Sequence, residues 1–135
     1  MALSQDRNTK KREGAIYSAP VAADVVIHGG ALVALDASGN LTPGAVATTL
    51  IAAGRAKGAV DNSDGSAGDK TAEYEKGVFH YKNSASADAI TRAEIGDNCY
   101  IVDDETVAKT SGSNTRSVAG RIMDVDANGV WVEIA

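Results

Sequence analysis

Cysteine is nearly absent from this chain: one residue, Cys99, in 135. No intrachain disulfide can form, so the fold has to rest on its core. A chain of this length buries about 68% of the surface its unfolded form exposes, which suffices without staples. Set in CYIV, Cys99 reads as a small buried apolar residue with no base near it in sequence, not as a nucleophile. No run of about 18 apolar residues exists, so no membrane-spanning helix is expected. The first twenty residues, MALSQDRNTKKREGAIYSAP, lack an apolar h-region; they do not read as a secretory signal, and the protein is expected to stay where it is made. Histidines number two, His28 and His80, too few for most zinc sites without cysteine help. Proline is scarce as well, with Pro43 suiting a turn or a sheet edge.

Charge is present but unevenly placed. Net charge is −5, yet residues 1–20 carry Arg7, Lys10, Lys11 and Arg12 against Asp6 and Glu13, a balance of +2. The remainder therefore carries −7, a poor match for nucleic acid. Residues 1–20 read as an extended arm, either one able to touch something acidic or a solvated tail, and 21–135 as one β-rich domain. Within the arm, GAIYS (14–18) offers Ile16 and Tyr17 as a short strand or docking segment.

Short runs of Val, Ile and Thr bounded by Gly and Asn turns argue for β structure. Residues 21–27 read as extended, 31–36 as a buried strand, and 41–44 as its short return. In 48–60 the alanines suggest helix, but Gly54 and Gly58 each cost about 1 kcal/mol in a helix interior, so a strand or strand pair bent near Gly54 is expected. KTAEYEKGVFHYKN reads as strand, bulge at Gly77, strand. Residues 86–96 are the one short helix expected, capped by Ser86 or Thr91 and ended by Gly96. Residues 98–104 with 106–110, and 117–126 with 130–134, read as hairpins, the second turning at Ala127-Asn128-Gly129. AAGRAKGAVDNSDG (52–65) weakly echoes VAGRIMDVDANG (118–129), either as two equivalent strands of a sandwich or barrel or as chance similarity in so Ala-rich a chain. The expectation is an all-β small sandwich or barrel of about eight strands, with one short helix and the arm.

The chemistry-bearing candidates are few. GSAGDKT (65–71) approaches a phosphate-binding loop, but Asp69 stands before Lys70 where a glycine is required, and TAEYE then alternates with period two, so no helix N-terminus follows. Asp61, Asp64 and Asp69 miss the EF-hand register, because Ser63 and Gly65 take ligand positions; an irregular weak cation site is the alternative to a solvated acidic loop. Asp103, Asp104 and Glu105 read as an acidic turn with no assignable acid and nucleophile. No enzyme, cofactor, metal or small-molecule substrate is expected.

The stretches AGRAKGAVDNSDGSAGDKTAEYEKGVFHYKNS, ADAITRAEIGDNCYIVDDETVAKT and AGRIMDVDANGVWVEI resemble a known family. So do the shorter pieces VDNS, GVF (77–79) and the terminal GVWVEI. Over about residues 50–135 the chain resembles the small capsid-associated proteins of Mu-like transposable tailed phages and prophages, related in style to decoration, or cement, proteins. The resemblance implies a non-enzymatic virion protein on the capsid surface, made in the host bacterial cytoplasm. It further implies a homo-oligomer, with a trimer favoured over a dimer and both open, that binds the major capsid protein and stabilises contacts between neighbouring capsid subunits. In that setting Arg7, Lys10, Lys11 and Arg12 would pair with acidic capsid groups and Ile16 and Tyr17 would anchor the arm. The alternatives are a head–tail connector or other assembly protein, a nucleotide- or DNA-binding recombination factor, and a carbohydrate-binding β domain weakened by few aromatics.

Overall fold

Thr71–Glu75 alternates exposed and buried residues as its sequence requires, and it forms β7 of an all-β fold. The computed structural model describes residues 1–135 and contains twelve strands. They are β1 (Ile16–Pro20), β2 (Val26–Ile27), β3 (Leu32–Leu35), β4 (Leu41–Pro43), β5 (Ile51–Ala56), β6 (Val60–Asp61), β7, β8 (Gly77–Tyr81), β9 (Asn98–Ile101), β10 (Val107–Ala108), β11 (Val118–Asp126) and β12 (Gly129–Ile134). Sheet 1 runs β1-β7-β5-β3-β4, and sheet 2 runs β8-β12-β11-β9-β10, all neighbours antiparallel. β2 and β6 form a separate two-stranded cap.

Ranked along the chain, the strands of each sheet stand in the same order, 1-5-4-2-3. The cross-strand pairs agree as well. Leu32–Arg55, Val33–Gly54 and Ala34–Ala52 in sheet 1 match Asn98–Arg121, Cys99–Gly120 and Tyr100–Val118 in sheet 2. Arg55–Glu75–Ile16 likewise matches Arg121–Glu133–Val78. The chain is a tandem pair of one five-stranded unit, residues 16–75 and 77–134. The Ala-Gly-Arg echo in the sequence marks the middle strand of each sheet. In both, the alanine (Ala53, Ala119) is the extra residue of a β-bulge and is buried. The glycine that follows lies so close to the neighbouring strand that a Cβ would sit 2.1 Å from the Glu75 carbonyl oxygen at Gly54, and 2.2 Å from that of Glu133 at Gly120.

Each sheet curls until the chain leaving its first strand meets its third strand, or the residue just before it, at one isolated parallel bridge: Val21 with Leu41 of β4, and Lys82 with Thr106 ahead of β10. Neither sheet closes into the barrel that the sequence left open; the units stack. The inner face of sheet 1 holds Val33, Leu41, Ala53, Ala72 and Tyr74 and is covered by the cap through Ile27 and Val60. Its outer face sends Leu32 and Ala34 into the second core, among Phe79, Ile101, Ile122, Val130 and Val132 of unit 2. Alternation along β3 thus feeds two cores from one strand.

Three expectations need correction. The arm does not extend to residue 20: Ile16–Pro20 pairs with β7, so only residues 1–15 lie outside the sheets. The bulge expected at Gly77 is the passage between units, with β7 in sheet 1 and β8 in sheet 2. In place of a helix over 86–96 there are two 3₁₀ turns, Ser86–Asp88 and Arg92–Glu94. Thr91 caps the second in a capping box with Glu94, and only Ile90 of the segment reaches the core, so no apolar stripe supports a longer helix.

Candidate functional site

The sequence-predicted site residues fall into two groups. Arg7, Lys10, Lys11 and Arg12 lie on the exposed arm. Their partners are within the arm: Arg7 donates to Thr9 Oγ1 at 3.1 Å, and Lys11 Nζ is 2.7 Å from Glu13, while Lys10 and Arg12 form no ion pair. Ile16 and Tyr17 belong to β1. Tyr17 is turned to its own domain, stacked on Tyr74 with ring centroids 5.8 Å apart, and the Lys76 ammonium lies 5.7 and 5.9 Å from the two rings. It is therefore a packing residue of sheet 1, whereas Ile16, paired with Glu75, stays exposed at the sheet edge. The four cations lie together on the exposed segment ahead of β1, but the two apolar residues are not part of it.

The glycine-rich loop before β7 is organised by its own side chains. Asp61 Oδ1 accepts from the Ser63 amide and hydroxyl, which hold its carboxyl below the usual range, and Asp69 accepts from the Ser66 amide at 2.9 Å. Buried Asn62 donates to the Ala22 and Ser66 carbonyls, and the Lys70 ammonium turns back onto the Asp61 carbonyl. Lys70 is thus folded onto its own loop, and the carboxylates of 61–69 do not converge with others into a group of three or more. In the acidic turn, Asp103 accepts from the Glu105 amide and Glu105 pairs with Lys82 at 2.9 Å. His28, in its turn, lines a shallow hollow with Asp104 and Glu105. Cys99 is fully buried, and desolvation pushes its thiol up to about 12, so it stays protonated at neutral pH.

One cluster was not found from sequence. Asp126, ahead of the β11–β12 turn, accepts from the Asn128 and Gly129 amides, from Trp131 Nε1 at 3.2 Å, and contacts His80 Nε2 at 3.2 Å. The Asn128 amide and then His80 hold its carboxyl below the usual range. His80 and Trp131 face each other across β8 and β12 with centroids 4.9 Å apart on the outer face of sheet 2. The alternation of both strands puts these residues on one face; what the sequence could not give is the register that sets them opposite each other. Neither Asn128 nor Gly129 takes a positive φ, so this is not the mirror-type turn that Asn-Gly suggests. The glycine is needed because a Cβ there would lie 2.3 Å from the Tyr81 carbonyl oxygen.

Beside this face runs a groove along the seam between β5 and β11, floored by Ala52, Ala119 and Ile134 and rimmed by Ile51, Val118 and Arg121. No helix of the structure is long and apolar enough to cross a membrane. Compared with family models, curated proteins and solved structures, the chain matches none of them.

Proposed function

We propose that this chain is a structural virion protein that binds the outside of a tailed-phage head and ties neighbouring major capsid subunits together. The observation that carries the reading is the arm: fifteen exposed residues with no strand partner, carrying +2, leave the edge strand of a small β body that carries −7. The sequence resemblance over residues 50–135 supplies the capsid as the surface to be bound. Fully extended, fifteen residues reach about 50 Å, far enough to pass from one capsid subunit to the next. Each exposed arm cation contributes only about 0–1 kcal/mol to a rim ion pair. Many copies and many contacts are then what hold the layer, since linked sites gain about 10²–10⁴-fold in avidity without any new contact.

Deleting residues 2–13 tests this. The deletion spares β1, so the body keeps its unfolding temperature, and it removes all four arm cations. Mixed with undecorated heads, the full chain cosediments and the truncated chain does not. Equal occupancy by both sinks the arm's role, and the absence of the chain from purified particles sinks the virion reading.

A further inference from the structure

The tandem repeat makes the two units comparable, and their outer faces have different fates. On unit 1, Leu32 and Ala34 are fully buried against the inner face of unit 2. The matching positions on unit 2 are Asn98, exposed, and Tyr100, half-buried; Val118, matching Ala52, is 44% exposed. Around them Ile51 is 68%, Val78 44% and Trp131 38% exposed. A face that already docks one copy of the unit inside the chain is left open, with large apolar residues on it, at the end of the stack.

We propose that the outer face of sheet 2 is where a second copy of this chain docks, isologously, face on face. Three observations select that occupant. The open face continues into the established unit–unit seam, sharing its groove with Ala52 and Ala119. Head-to-tail stacking of further copies would need a free inner face, and that of unit 1 is closed by the cap, with Ile27 fully buried in it. Charge is self-complementary here as well. Arg121 and Glu133 are cross-strand neighbours that form no ion pair, whereas their unit 1 counterparts Arg55 and Glu75 do, at 3.5 Å. Under a two-fold axis each Arg121 meets the Glu133 of the other copy. The pairing is two-fold, the less favoured of the two symmetries that the resemblance leaves open, and it stands independently of the capsid reading.

The test is the mass of the full chain by light scattering or sedimentation equilibrium, with no capsid protein present. The expected species is twice 13.8 kDa, falling to 13.8 kDa in Val118→Glu and in Arg121→Glu. The Arg121→Glu/Glu133→Arg double variant restores the doubled mass, because the exchanged charges meet again across the axis. Arg121 is exposed and outside both cores, so its variant keeps the wild-type circular dichroism spectrum, and it loses only the concentration-dependent part of the melting temperature that dimerisation supplies. A single-copy mass at every soluble concentration, a three-copy mass, or a dimer indifferent to both single variants overturns the proposal. Because no head is involved, that failure leaves the arm's binding untouched, and loss of head binding leaves this result untouched.

Discussion

Gly120→Ala puts one methyl group where the structure has no room. The new Cβ would lie 2.2 Å from the Glu133 carbonyl oxygen, 2.9 Å from Val132 Cγ1 and 3.0 Å from the Glu133 carbonyl carbon. Relief requires moving β12 by about 1 Å, given ordinary carbon contacts near 3.5 Å. β12 cannot move freely, since it is paired to β11 on one side and β8 on the other, and Val130, Val132 and Ile134 are set in the core. Overpacking of this kind costs about 1–3 kcal/mol, and a strained ladder bond adds about 1 kcal/mol. A destabilisation of about 3 kcal/mol is expected, against a total of roughly 7–20 kcal/mol for a chain of this length. At this size that lowers the melting temperature by about 10 °C. Thermal and urea unfolding followed by circular dichroism measure it. Gly58→Ala is the control: nothing lies within 4 Å of its Cβ and its φ is ordinary, so its melting temperature stays at the wild-type value. Gly54→Ala should match or exceed Gly120→Ala, because it meets the Glu75 carbonyl at 2.1 Å and also has φ +153°. If Gly120→Ala melts with Gly58→Ala, the close approach at the two bulges is wrong, and with it the reason for the repeated Ala-Gly-Arg.

Two further outcomes follow from the side-chain geometry. Tyr17→Ala, which removes the half-buried ring stacked on Tyr74, should lower unfolding free energy by about 2 kcal/mol, roughly half the cost of a fully buried aromatic; an unchanged urea midpoint would return Tyr17 to the arm. Asp126 has a folded pKa held below its unfolded value, so its contribution is present above the unfolded carboxylate value of about 3.9 and is lost as pH falls through the lower folded value. The gap in urea midpoint between the wild type and Asp126→Asn should therefore be constant at neutral pH and close in acid; a gap that persists to the acid limit refutes the assignment.

The β class and the hairpins were legible because they rest on local alternation: Val130, Val132 and Ile134 point inward while Trp131 does not, as period two demands. The arm boundary was only half legible: GAIYS reads as a short strand or a docking segment, and what decides between them is β7, more than fifty residues away, while Ser18 and Pro20 carry little strand signal. The switch of sheets at Lys76–Gly77 looks locally like a bulge and becomes a unit boundary only once both sheets are traced. Most of the repeat is hidden by volume exchange. Ala19, Ala56 and Ala72 of unit 1 stand where unit 2 has Tyr81, Ile122 and Val130, because the first core is completed by the cap and the second by Leu32 and Ala34. The Ala-Gly-Arg triplet survives in the sequence because bulge and backbone clearance allow little else. The Asp126 cluster and the open outer face depend on register, which the pattern of residue types does not encode.

Lys76 is the only residue between β7 and β8, and its ammonium is tied to the Ala53 carbonyl at 3.2 Å and the Ala135 carbonyl at 3.4 Å. A pull on the N-terminal arm along the β1 axis therefore loads five residue pairs with β7 at once, in shear, and passes by covalent bonds straight into β8. With no slack joint to absorb it, tension reaches the far sheet undamped, whereas a sideways pull would peel β1 away one rung at a time.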